Sequence, residues 1–133
     1  MGKVKIISRI LLAVYIAAIC VICFTHVNSG IDLSSTWFGL PKDKVIHFTM
    51  FLPYPLIMHY AFYRPERKTV STLALMAAVV LLGCIIAGAT ELVQGTLSYR
   101  SADINDFRAD SYGILTGAII TCILWVVSKR RRI

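Results

Sequence analysis

Four apolar runs, each close to twenty residues, leave a 133-residue chain few ways to fold. They cover about residues 6–25, 45–63, 69–91 and 111–128. An α-helix of about 20 residues is long enough to cross the ~30 Å hydrocarbon layer of a bilayer. Lipid offers no hydrogen bonds to the backbone, and a helix satisfies its N–H and C=O groups within the segment. The expectation is an all-α membrane protein: a compact bundle of four transmembrane helices with polar outer loops, forming one domain over residues 1–133. Composition agrees, with 57% hydrophobic residues, 16% charged residues and a mean hydropathy of +0.72. Soluble domains average about 45–50% apolar and about 25% charged residues. Lys3 and Lys5 ahead of the first run, with Arg9 in its first turn, resemble the start of a secretory signal. The length of that run, with no A-x-A-like site after it, favours a span.

Charge gives the expected orientation. The first nine residues (Lys3, Lys5 and Arg9), the link "RPERK" and the tail "KRRR" carry ten basic residues against Glu66, a net of +9. The opposite ends carry Lys42, Lys44, Arg100 and Arg108 against Asp32, Asp43, Glu91, Asp103, Asp106 and Asp110, a net of −2. The positive-inside rule then places both termini and the "RPERK" link in the cytoplasm. Basic residues clustered at span ends write topology, so the overall +7 implies no nucleic-acid partner; the expected partners are membrane lipids.

Six of the seven acids therefore share the outer face, and their spacing is periodic. Asp43 and His47 stand four apart where the second run begins, on one helix face. Glu91 and Gln94 stand three apart where the third run ends. Asp103, Asp106, Asp110, Gly113 and Gly117 follow at steps of three and four, which makes one stripe if the segment is helical. Gly113 and Gly117 form G-x-x-x-G, a pattern that lets helices approach closely. The acids on that stripe then point into the bundle, where ionisable groups are costly and usually functional. Capping and surface ion pairing explain each acid singly; three separate segments converging on one face favour a site.

These residues carry a resemblance. "DKVIHF", followed about forty residues later by E-x-x-Q-x-x-x-x-x-R-x-x-D-x-x-D and a glycine-containing last run, resembles the VanZ-like family over roughly residues 41–117. The matching positions are Asp43, Lys44, His47, Phe48, Glu91, Gln94, Arg100, Asp103, Asp106, Gly113 and Gly117. One position departs: the family usually has Asn where this chain has Asp110. The resemblance implies a cell-envelope role, with a link to resistance to teicoplanin, a lipid-bearing glycopeptide.

From the residues themselves, His47, Glu91, Asp103 and Asp106 are the candidate catalytic groups, able to exchange protons. Arg100, Gln94, Asp43 and Asp110 are the candidate ligand-binding groups, with Arg100 suited to a carboxylate or phosphate. The residues suggest an amphiphile, for whose acyl chain a kink at Pro53 and Pro55 would open a cleft, and the resemblance implies a lipid-linked envelope molecule or lipoglycopeptide as that ligand in the inner membrane of a bacterium. The alternative is a non-catalytic scaffold or partner-docking protein. The acids and His47 are also possible metal ligands, but Arg100 and Arg108 nearby can satisfy the same acids, so no metal and no cofactor are assigned. Cys20 and Cys23 fall inside the first run, and all four cysteines read as buried thiols. Trp37, Phe38 and Trp125 read as interfacial anchors.

Overall fold

The computed structural model describes residues 2–24, 36–37, 39–63 and 68–130. Asp32, Phe38, the link at 64–67 and Arg131 and Arg132 lie outside them. The helices are α1 (Gly2–Phe24), α2 (Lys42–Phe51), α3 (Tyr54–Phe62), α4 (Thr69–Gln94) and α5 (Ile104–Arg130). With α2 and α3 taken as one broken span, four helical segments are long and apolar enough to cross a membrane. A two-strand ribbon, β1 (Thr36–Trp37) and β2 (Leu40–Pro41), precedes α2, with Gly39 at φ +79° in its turn.

The break between α2 and α3 follows from proline chemistry. Pro53 has no N–H to continue the α2 ladder, and Pro55 is tolerated in the first turn of α3, where no intrahelical donor is needed. The carbonyl of Met50, at this break, accepts the Tyr15 hydroxyl, tying α1 to the kink.

α5 is the central packing partner: α2, α3 and α4 all lie against it, while α1 packs mainly on α3. Phe51, Tyr54, Val79, Ala87 and Ile114 fill the middle of the bundle. Long apolar side chains such as Ile7, Val14, Leu81, Ile85 and Ile119 point outwards. That inverted pattern suits a lipid surround, where tight packing and interhelical hydrogen bonds replace the hydrophobic effect in holding helices together. Gly113 and Gly117 provide the closest approach. A Cβ on Gly113 would run into the carbonyl oxygen of Phe48, and one on Gly117 into that of Leu52. The G-x-x-x-G face thus sits directly on the backbone of the broken span.

The helix ends sort by charge. At one end, Gln94 Nε2 donates to Cys23 O (3.1 Å) and Tyr99 OH to Phe24 O (2.6 Å), so the α4–α5 link closes over the end of α1. The same end holds Asp43, Glu91, Asp103, Asp106 and Asp110, and is here called the acidic end. At the other, Arg9 Nε donates to Ala61 O (3.4 Å) and Lys129 Nζ to Thr69 Oγ1 (3.0 Å).

Two expectations are corrected. Trp125 is buried against its neighbours with Lys129 over its ring, and Trp37 alone of the two described anchors is exposed. Cys20 faces outwards and Cys84 and Cys122 are half-buried, so Cys23 is the one fully buried thiol.

Candidate functional site

α5 begins earlier than the apolar run suggested, at Ile104, and this places the acids. Asp103 caps it: its Oδ1 accepts the Asn105 N–H (2.8 Å) and its carbonyl the Asp106 N–H (3.0 Å). One and two turns further in, Asp106 and Asp110 lie on the stripe that continues to Gly113 and Gly117. Because those glycines bring α2 within backbone contact, the first turns of α2 press Lys44 and His47 against the stripe. α4 supplies Glu91 from its last turn, above the buried Ala87.

Lys44 organises the outer half of the cluster. Its Nζ donates to Asp103 Oδ2 (2.5 Å) and to Asp106 Oδ1, and lies 3.4 Å from Asp43 Oδ2. Its ammonium holds the Asp103 carboxyl below the usual carboxylate range, helped by the Asn105 N–H. His47 organises the inner half. Its Nδ1 lies 3.0 Å from Asp110 Oδ1 and 4.0 Å from Glu91 Oε1. Its Nε2 lies 3.6 Å from Asp106 Oδ2 and 3.9 Å from Asp43 Oδ1. Glu91 Oε2 accepts the Asp103 N–H at 3.1 Å. Two buried carboxylate oxygens, Glu91 Oε1 and Asp110 Oδ2, have no hydrogen-bond partner among the described residues.

The structure therefore gathers His47, Glu91, Asp103, Asp106, Asp43 and Asp110 into one cluster. Gln94 and Arg100 stand outside it. Gln94 is buried and spends its amide on the α1 terminus. Arg100 is half-buried in the α4–α5 link, and among the described residues its guanidinium makes no ion pair with the cluster acids. Arg108 is exposed and donates to Asn105 (3.3 Å). The expectation that these arginines neutralise the acids is thus replaced by Lys44, which was not counted among the site residues. Its signal was available: Lys44 is three residues before His47 and so on the same helix face.

Chemically, an imidazole with carboxylates at both nitrogens can accept a proton on one side and release it on the other, the behaviour of a general acid–base. Two donor sets lie close enough to hold a cation, Asp43–His47–Asp106 and His47–Glu91–Asp110, with ligand atoms within 4.8 Å of one another.

Two apolar clefts flank the cluster. One, of about 420 Å³, lies between α4 and α5 and is lined by Gly88, Leu92, Ile104 and Phe107, with Glu91 and Asp103 in its wall. The other, of about 400 Å³, lies between α1 and α2, with Ile19, Trp37, Ile46, Met50 and Pro53 among its lining. Pro53 thus does border a cleft, while Pro55 does not line it.

Compared with known proteins, the chain matches the model of the VanZ/LLP1 family over residues 11–125, a stretch that contains every residue of the cluster. No match was found among curated proteins or among solved structures.

Proposed function

The chain belongs to the VanZ/LLP1 family, and on that footing we propose that its acidic end binds or processes an amphiphile of the cell envelope. The observation that carries this reading is the α4–α5 cleft: an apolar cleft at the acidic end that has Glu91 and Asp103 of the cluster among its lining residues. An acyl chain lies along Gly88, Leu92 and Phe107, and a polar head bearing amines or hydroxyls meets Glu91 and Asp103. His47, backed by Asp110, exchanges protons with that head. In this reading the acidic end faces outwards from the bacterial inner membrane with both termini in the cytoplasm, as the charge asymmetry supports. Teicoplanin, with its lipid tail and polar core, is a ligand of this class, so glycopeptide tolerance is the first phenotype to test.

The experiment expresses wild type, Glu91→Gln and Gly88→Leu in a teicoplanin-sensitive Gram-positive host, with membrane abundance matched. Wild type is expected to raise tolerance, and the other two to lose that effect, Gly88→Leu by filling the cleft. Native mass spectrometry of the purified protein is expected to show a bound lipid that Gly88→Leu lacks. No protection by wild type together with no retained lipid refutes the reading.

A scaffold or partner-docking role is the second reading, favoured by the way Lys44 ties α2 to α5. It expects Glu91→Gln to lower stability and function together, whereas the binding reading expects function to fall with stability retained.

A further inference from the structure

The charges of the cluster do not divide evenly. Lys44 serves Asp43, Asp103 and Asp106, all of which lie toward its side. Glu91 and Asp110 lie deeper, on the far side of His47, with side chains 8% and 0% exposed. Apart from the Asp103 N–H on Glu91, their close polar partner is His47 Nδ1. Each also keeps one buried oxygen with no hydrogen-bond partner among the described residues. Carboxylates so covered need a counter-charge, and one imidazole is short of two.

We infer that His47, Glu91 and Asp110 bind a first-row divalent cation, with zinc the best match, through His47 Nδ1 and the two carboxylates. Donors at about 2.0–2.2 Å from such an ion stand roughly 3.0–3.5 Å apart. His47 Nδ1 is already 3.0 Å from Asp110 Oδ1 and 4.0 Å from Glu91 Oε1, so a small rotation of Glu91 completes the set. Glu91 Oε1, unpartnered among the described residues, and Asp110 Oδ1, which exchanges its contact with the imidazole for the ion, supply the ligands, with the unpartnered Asp110 Oδ2 beside them. A mixed imidazole–carboxylate set selects zinc or manganese over calcium or magnesium, which prefer oxygen alone. The other ring nitrogen is placed for an outer role: Nε2 faces Asp106 at 3.6 Å and Asp43 at 3.9 Å, and such carboxylates orient a ligating imidazole and raise its basicity. Lys44 belongs to this outer layer and holds Asp106 in place. A divalent ion brings the two charges that Glu91 and Asp110 lack. The arginines that would compete for those acids lie elsewhere: Arg108 bonds Asn105, and Arg100 sits in the link over α1.

The inference stands apart from the amphiphile reading, because it is tested on the full chain in detergent with Zn²⁺ as the only added ligand. After chelator treatment and dialysis, calorimetric titration is expected to show one equivalent of Zn²⁺ bound. Glu91→Gln and Asp110→Asn should each weaken it at least tenfold. A protein with Cys20→Ser and Cys23→Ser together should keep its affinity, separating this site from the thiols. X-ray absorption at the zinc edge of the wild type covers the case in which a variant fails to fold; it should show a nitrogen–oxygen shell with one imidazole. No stoichiometric binding, a shell containing sulfur, or affinity unchanged in both carboxylate variants overturns the inference.

Discussion

Replacing Gly113 by alanine puts the packing argument at risk with a single methyl group. Its Cβ would collide with Phe48 O and come within 3.2 Å of Phe48 C and 3.3 Å of Leu52 N. These neighbours are backbone atoms and cannot rotate away, so α2 and α5 must part by about 1 Å to regain ordinary van der Waals spacing. His47 precedes Phe48, and Asp110 lies one turn before Gly113. The same displacement therefore stretches the 3.0 Å His47–Asp110 contact to about 4 Å, outside hydrogen-bonding range. Overpacking costs about 1–3 kcal/mol, and the lost hydrogen bond about 1 kcal/mol more. Improved helix propensity returns at most ~1 kcal/mol, leaving a net loss of about 1–3 kcal/mol. Gly88→Ala is the matched control: its Cβ would meet Phe107 Cε2 at 3.7 Å, an ordinary contact. That change should be neutral, or stabilising by up to ~1 kcal/mol. Unfolding in mixed detergent–SDS micelles, followed by circular dichroism, measures both. Equal stability of the two variants, or a wild-type result for Gly113→Ala, refutes the reasoning.

Lys44→Met leaves Asp43, Asp103 and Asp106 facing one another without their cation, and should cost about 2 kcal/mol or more in the same unfolding assay. Because Lys44 lowers the Asp103 pKa, the share of this gap due to Asp103 is fully present above the unfolded value near ~3.9 and is lost as pH falls through the lower folded one. The Asp103 share of the difference, wild type minus Lys44→Met, should accordingly narrow as pH falls below about 4; a gap that widens on acidification contradicts this sign. Gln94→Leu should cost about 1 kcal/mol by leaving Cys23 O without its donor, and it should leave zinc affinity unchanged, since Gln94 is outside the cluster.

Span count and fold class were legible because lipid imposes a length and a polarity on each helix that composition alone reveals. The convergence of Asp43, His47, Glu91, Asp103, Asp106 and Asp110 was legible too, since helical periodicity projects each to a known face. Three features were not. The start of α5 at Ile104 was hidden by polar residues that lower hydropathy while remaining helical, so the apolar run marked the lipid-buried part and not the helix. Arg100 looked like a cluster member because it lies among the acids in sequence, yet the turns after α4 carry it over α1. Lys44 matches the family pattern in the sequence, but a cation next to an acid at a helix start reads as a topology signal and not as a site residue. Its reach to α5 depends on how closely α2 approaches, which no periodicity within α2 expresses.

That approach makes the packing contact and the charged cluster one device. In lipid, little drives helices together beyond shape and polar bonding. Gly113 and Gly117 give α2 and α5 a shape that admits no side chain between them, and the acids one and two turns outward meet Lys44 and His47 as a result. Exposure then grades inward, from 37% at the Asp103 side chain, through 9% at Asp106, to 0% at Asp110. A lock between two helices would need only the outer part of that gradient, where Lys44 already joins α2 to α5. Asp110 and Glu91 lie beyond its reach, buried, each with an oxygen unpartnered among the described residues. Such groups cost stability when they stay charged. An acidic cluster that deepens past its own counter-charge is therefore poorly explained as a brace, and well explained as a place where a cation, a proton or a ligand's polar head is taken up.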